Sequence, residues 1–330
     1  MIKPRLPVDR LGSRSMEIIR RKFRYKRSKE MEKPDWKAKL AGVFTALVTP
    51  LKEGKVDVEA YDRHVQRQLD SGVHGIVPVG TTGEAATMTE EETATLIRIA
   101  VERARGRAFV LAGAGSNDTA TAIKKAKQAE ELGADGILVV TPYYNKPTQE
   151  GLFAHFSAVA QAVKVPVILY SVPGRTGVEL AADTAARLAQ AHANIVGIKE
   201  AGGKVERVTE LRLACGERFV IHCGDDGLAV PFYSIGADGL TSVASNLIPH
   251  ELVEQYAAFR QGDMVRALQL HDRVFDLVKH LFIESNPVPV KAALAAQGLM
   301  SAEVRLPLTT LSKNSQEALA ASMDRITTSA

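Results

Sequence analysis

Cysteine is nearly absent from this sequence, aromatic residues are few, and no apolar run is long. Two cysteines in 330 residues, Cys215 and Cys223, are too few for a disulfide framework, so both are expected as reduced thiols. No stretch approaches the length of a membrane span, and the N-terminus lacks the apolar centre of a secretory signal. Eight histidines show neither H-x-H nor H-E-x-x-H spacing, and no G-x-G-x-x-G follows the first apolar run, which argues against a metal site and a dinucleotide site. What remains is 45% hydrophobic with only 14 prolines, enough to bury one large core or two small ones. A cytoplasmic protein is expected, with no membrane partner.

Charge is unevenly placed. Residues 1–40 carry 14 Lys/Arg against 5 Asp/Glu, leaving 28 against 33 for the rest. The stretch "IIRRKFRYKRSKE" could meet an acidic surface or nucleic acid, or serve as a targeting peptide. The preferred reading is a disordered extension of 1–40, or an upstream start ahead of Met16 or Met31, with no nucleic-acid partner.

From "GVFTALVTP" onward, Val/Ile/Leu-rich runs alternate with segments of helical period, the pattern of parallel strands joined by crossover helices. The strands are expected at Val43–Val48, Gly75–Val79, Ala108–Ala112, Gly136–Val140, Val167–Tyr170, Ile195–Lys199, Phe219–Cys223 and Gly239–Ser242. Thr89 and Glu92 form a capping-box pattern, and several helical stretches end in glycine. Eight units predict an α/β fold, the (β/α)8 TIM barrel, over 41–250, with a small C-terminal helical appendage over 251–330.

In such a barrel chemistry belongs at the C-terminal strand ends, and the unusual residues fall there. "GTTGE" brings Gly80, Thr81, Thr82 and Gly83 together in a turn that could hold a carboxylate, although a strand-to-helix turn with capping threonines explains it equally well. In "YSVPGRT", Tyr170 can pass a proton and Arg175 can grip a carboxylate with two hydrogen bonds; singly, a tyrosine capping a barrel layer and an arginine in solvent serve as well. Asp225 and Asp226 of "GDD" are read as helix caps, and His222 and Cys223, adjacent on a strand, point to opposite faces. Lys199 ends an otherwise apolar strand. An ammonium is disfavoured in apolar surroundings, and the neutral amine is the form that attacks a carbonyl, so a Schiff base is expected.

With "GTTGE", "YYNKPTQEGL", "YSVPGRTG", "GIKEAGG", "GDD" and "NPVPVKAAL" in this order, residues 41–325 resemble the dihydrodipicolinate synthase family of pyruvate-dependent class I aldolases and lyases. The resemblance implies that Lys199 condenses with pyruvate, whose carboxylate is held by the "GTTG" loop, chiefly Thr82, and by the backbone near Thr241. It implies Tyr170 as general acid/base, linked through Thr81 to Tyr144 of a neighbouring subunit, and Arg175 as clamp for the second substrate, L-aspartate 4-semialdehyde. A homotetramer built as a dimer of dimers is implied, and no cofactor.

Two positions depart from the family pattern. Residue 171 is Ser where Asn is usual, which opens the question of the second substrate. Asn117 and Tyr143 match positions that bind regulatory lysine in some relatives, but Glu90, Thr93 and Thr121 replace the expected histidines and glutamate, so lysine inhibition is expected to be weak or absent. The rivals are a 2-keto-3-deoxy-sugar-acid aldolase or N-acetylneuraminate lyase, in which hydroxyl-binding groups would replace Arg175, and a silent keto-acid-binding barrel, which would not need Lys199, Tyr170, Thr81 and Tyr144 together.

Overall fold

A computed structural model describes residues 35–328 of the chain. The basic stretch up to residue 34 lies outside them. The last residues assigned above to the extension are structured: Trp36–Leu40 is a short helix that plugs the barrel floor. Leu40 is buried with Phe44 inside the barrel, which contributes about 1.5–3 kcal/mol for a leucine side chain. Its carbonyl accepts the Nε2–H of His222 at 2.5 Å, so Nδ1 is left as the acceptor for the Thr241 hydroxyl at 3.0 Å. Burial lowers His222 to about 4, and the ring stays neutral as part of the floor.

All eight expected strands are present, two with the expected ends and six displaced by one or two residues at one end or both. They are β1 (Gly42–Ala46), β4 (Gly75–Val77), β5 (Phe109–Gly113), β6 (Gly136–Val140), β7 (Val167–Ser171), β8 (Ile195–Glu200), β9 (Val220–Cys223) and β10 (Gly239–Ser242). They are parallel, each pairs with its neighbour in sequence, and β1 pairs with β10 to close the cylinder. A two-stranded hairpin, β2 (Leu51–Lys52) and β3 (Lys55–Val56), was not foreseen. Its turn is Glu53-Gly54, both at positive φ (53° and 77°), the conformation of a tight two-residue hairpin loop.

Alternation along the strands makes two cores. Phe44, Val77, Leu111, Leu138, Ile168 and Val220 fill the cylinder. Ile76, Ile137, Leu169, Ile221 and Leu240 face outward against the helices. The helices start where side chains can cap them: Asp57, Asp118 and Thr148 accept from Ala60, Thr121 and Gly151, and the Thr89/Glu92 capping box is formed in both directions. Helix Pro249–Arg260 completes the eighth β/α unit, so the barrel runs past residue 250. Three further helices follow, Met264–His280, Val288–Ala296 and Lys313–Thr328. Among the described residues no helix is long and apolar enough to cross a membrane.

Candidate active site

Lys199 would point out of the barrel if β8 were regular. Val196 faces the interior and Ile198 the helices, although residues two apart on a strand share a face. The register explains this: Val167 pairs with Ile195 but Ile168 with Gly197, so two residues of β8 oppose one of β7. This bulge resets the alternation and turns Lys199 inward beside its partner Tyr170. Gly197 permits it, because a Cβ there would lie 2.5 Å from the Val220 carbonyl oxygen. The Lys199 amine rests 4.4 Å from the Tyr170 ring centroid, in a residue only 6% exposed. Gly224 leaves room on the other side: a Cβ there would meet Ala201 Cβ at 2.6 Å and Lys199 Cε at 3.0 Å.

Around this amine opens a cavity of about 940 Å³ at the C-terminal ends of the strands. Gly80, Thr81, Thr82, Tyr170, Arg175 and Lys199, all singled out in the sequence, line it. The loop after β4 is held in a costly shape: Val79 and Glu84, neither a glycine, have φ of 50° and 57°. Outside contacts fix it. The Thr49 hydroxyl donates to the Gly83 carbonyl at 2.8 Å, and both Glu84 carboxylate oxygens are occupied, by Lys291 Nζ at 2.6 Å and the Arg305 backbone N–H at 3.0 Å. The Arg305 guanidinium also grips Glu92 and the carbonyls of Gly54 and Thr87. Burial lowers the Lys291 amine, with Glu84 opposing the shift.

Other expected residues lie elsewhere. Thr241 is buried with its hydroxyl on His222 and does not line the cavity. Among the described residues no hydrogen bond joins Thr81 to Tyr170 or Tyr144. Tyr144 is 90% exposed with φ 74°, outside its own cavity, whereas its neighbour Tyr143 is at the rim. Asn117 is also off the cavity, its carbonyl accepting from Asn145 at 2.8 Å. Ser171 is buried on the outer side of β7, its hydroxyl accepting from the Leu180 N–H at 3.3 Å, so the departure there is not in the cavity wall. The two aspartates divide: Asp225 caps the short helix after it, as expected, through Gly227, but Asp226 does not. Asp226 bonds the Ser242 hydroxyl and the Val243 and Ala244 N–H groups, tying the loop after β10 to that after β9.

The model of the dihydrodipicolinate synthetase family matches residues 39–326. The chain belongs to this family. A 4-hydroxy-tetrahydrodipicolinate synthase of Geobacter metallireducens is 48% identical over 282 residues, covering 86% of this chain and 97% of the relative. Among solved structures, the 4-hydroxy-tetrahydrodipicolinate synthase of Methylacidiphilum fumariolicum SolV is 46% identical with a TM-score of 0.86, over 87% of this chain and 96% of that one. The chloride-inhibited dihydrodipicolinate synthase of Acinetobacter baumannii, complexed with pyruvate, is 44% identical with a TM-score of 0.84, over 87% of this chain and 99% of that one.

Three features of this dihydrodipicolinate synthetase family site escaped the sequence reading. The β8 bulge was signalled by Gly197 inside a strand, a residue that often marks one. The Glu84–Lys291 pair was signalled by a lysine in the apolar helix "VPVKAALAA". Asn286, whose side-chain N–H donates to the Thr82 hydroxyl at 2.9 Å and whose backbone carbonyl accepts from Arg175 at 3.4 Å, gave no signal beyond its place in "NPVPVKAAL".

Proposed function

We infer that this chain is a lyase catalysing the 4-hydroxy-tetrahydrodipicolinate synthase reaction, joining pyruvate to L-aspartate 4-semialdehyde on the diaminopimelate route to lysine. The observation that carries the reading is a buried amine stacked on a phenol in the same cavity as a threonine-glycine loop and an arginine. Family membership and synthase relatives on both sequence and structure support it.

On this reading the free-base form of the Lys199 amine attacks the pyruvate carbonyl, and a proton delivered to the carbinolamine oxygen by way of Tyr170 lets water leave, giving an iminium. The iminium draws electrons from the neighbouring methyl, which loses a proton to become the enamine carbon. That carbon bonds to the aldehyde carbon of the semialdehyde, whose oxygen takes up a proton to become a hydroxyl as the iminium re-forms. The substrate's own amino group then attacks the imine carbon, closes the ring and expels Lys199. To Tyr170, whose ring lies 4.4 Å from the amine, we assign the movement of protons. Thr82 and its loop receive the pyruvate carboxylate, with the Thr81 hydroxyl as relay, and Arg175 receives the carboxylate of the second substrate. Tyr144, exposed and outside its own cavity, completes the relay in a neighbouring copy within a homotetramer. A cytoplasmic location fits this role. Lysine inhibition is weak or absent, since Glu90, Thr93 and Thr121 stand where histidines and a glutamate are expected.

Two measurements test this. Purified protein with both substrates should turn over faster than it cleaves any 2-keto-3-deoxy sugar acid, and borohydride with pyruvate should trap an adduct on Lys199. Preference for the sugar acid would reassign the second substrate, and no adduct would remove the Schiff base. The bulge makes its own prediction. Gly197→Ala must push against the Val220 carbonyl and shift Lys199, so kcat should fall about 100-fold, as for a reacting group misplaced by an ångström. The circular-dichroism spectrum should be retained. Unchanged kcat would mean that the bulge does not set the position of the amine.

A further inference from the structure

We propose that Asn286 is a positioning residue for the first substrate's carboxylate, acting through the Thr82 hydroxyl. The proposal rests on the assignment of Thr82 to pyruvate made above and extends it to a residue supplied by the C-terminal segment.

A threonine hydroxyl offers one hydrogen and two lone pairs, and an unrestrained one can direct that hydrogen to any nearby acceptor. Here the Asn286 side-chain nitrogen donates to Thr82 Oγ1 at 2.9 Å, with both residues buried. One lone pair is thereby filled, and the Thr82 hydrogen is turned away from Asn286 and made available on the cavity side. A donor oriented before the anion arrives costs no reorganisation when it binds.

The asparagine keeps this orientation at a cost. Among the described residues its Oδ1 is buried with no hydrogen-bond partner, and an unmatched buried acceptor is destabilising. Packing alone does not account for an amide arranged in that way, whereas orienting Thr82 does. The surroundings fix Asn286 in turn. Its carbonyl accepts from Arg175, and five residues later Lys291 is locked to Glu84 of the same loop. Segment 286–291 therefore clamps the loop after β4 at two points, Thr82 and Glu84, and contacts the arginine assigned to the second carboxylate. The C-terminal appendage supplies part of the site wall rather than only a cover for the barrel.

A double-mutant cycle on the full chain tests this, reading KM for each substrate and kcat in Asn286→Ala, Thr82→Val and the pair. Asn286→Ala should raise pyruvate KM about tenfold, the equivalent of one net hydrogen bond, while KM for the semialdehyde stays near wild type. In the Thr82→Val background the same change should add less than about twofold, because the hydroxyl through which it acts is gone. Asn286→Asp, which can only accept when ionised, should draw the Thr82 hydrogen toward itself and raise pyruvate KM at least as much as alanine does. Independent, multiplicative effects of Asn286→Ala and Thr82→Val would overturn the proposal, as would an equal rise in both KM values or wild-type KM in Asn286→Asp. If Thr82→Val leaves pyruvate KM unchanged, the assignment of Thr82 itself falls; additivity with an impaired Thr82→Val overturns the role of Asn286 alone.

Discussion

Lys199→Ala is expected to lower kcat by at least about 10³-fold, the scale seen when a covalent route is removed, and to abolish the borohydride-trapped pyruvate adduct. Loss of folding will not account for it. Among the described residues no carboxylate lies within ion-pair distance of Lys199, so truncation strands no counter-charge, and the vacated space opens on an existing cavity. The variant should therefore unfold within a few degrees of wild type. The chain has a second deeply buried lysine, and comparing the two shows why the chemistry is assigned to Lys199. Lys291 is enclosed with Glu84 at 2.6 Å and does not line the cavity. Lys199 has an aromatic face and a cavity instead. A wild-type adduct that mapped to Lys291, or one that survived in Lys199→Ala, would reverse this assignment.

How the barrel is written in the sequence, and how the site is, differ in kind. Strand positions follow from local patterning, because a parallel strand covered on both sides must be apolar throughout and its crossover helix must be periodic. The "GTTGE", "YSVPGRT" and "GIKE" stretches were placed at one end of the barrel by the same logic, since each follows a strand. Contacts between stretches distant in sequence were not legible. Asn286 meets Thr82 across 204 residues and Lys291 meets Glu84 across 207. No periodicity encodes such pairings; only the packing of the appendage onto the barrel mouth creates them. The direction of Lys199 was legible only in part. Its strand was evident, but strict alternation from Val196 would have turned the lysine outward, and the inward turn depends on a bulge marked by one glycine. Similarly, the short helix Trp36–Leu40 was hidden by its charge: Lys37 and Lys39 resemble the basic stretch before them, yet Lys37 pairs with Asp238 at 2.8 Å and Leu40 reaches the core.

The second large effect is one of stability. Lys291→Met should destabilise the protein by about 3–5 kcal/mol, the range for removing one partner of a buried ion pair. Glu84 would keep the Arg305 N–H on one oxygen but would be left without a cation on the other, inside a site with almost no access to water. For a domain of this size that corresponds to a fall in Tm of roughly 5–15 °C. The double variant Glu84→Gln with Lys291→Met separates charge from packing. It removes both ions while keeping an acceptor for Arg305, so most of the lost stability should return, as when buried pairs are replaced by neutral groups. Activity should not return with it. The loop after β4 has left-handed backbone at Val79 and Glu84, and a neutral amide facing a thioether holds that strained turn less firmly than an ion pair at 2.6 Å. Thermal unfolding together with pyruvate KM would show this: Tm recovered, KM still raised. A double variant that stayed as unstable as Lys291→Met would mean that the lysine stabilises by its packed alkyl chain and not by its charge, and one that recovered both properties would mean that the pair does not shape the loop.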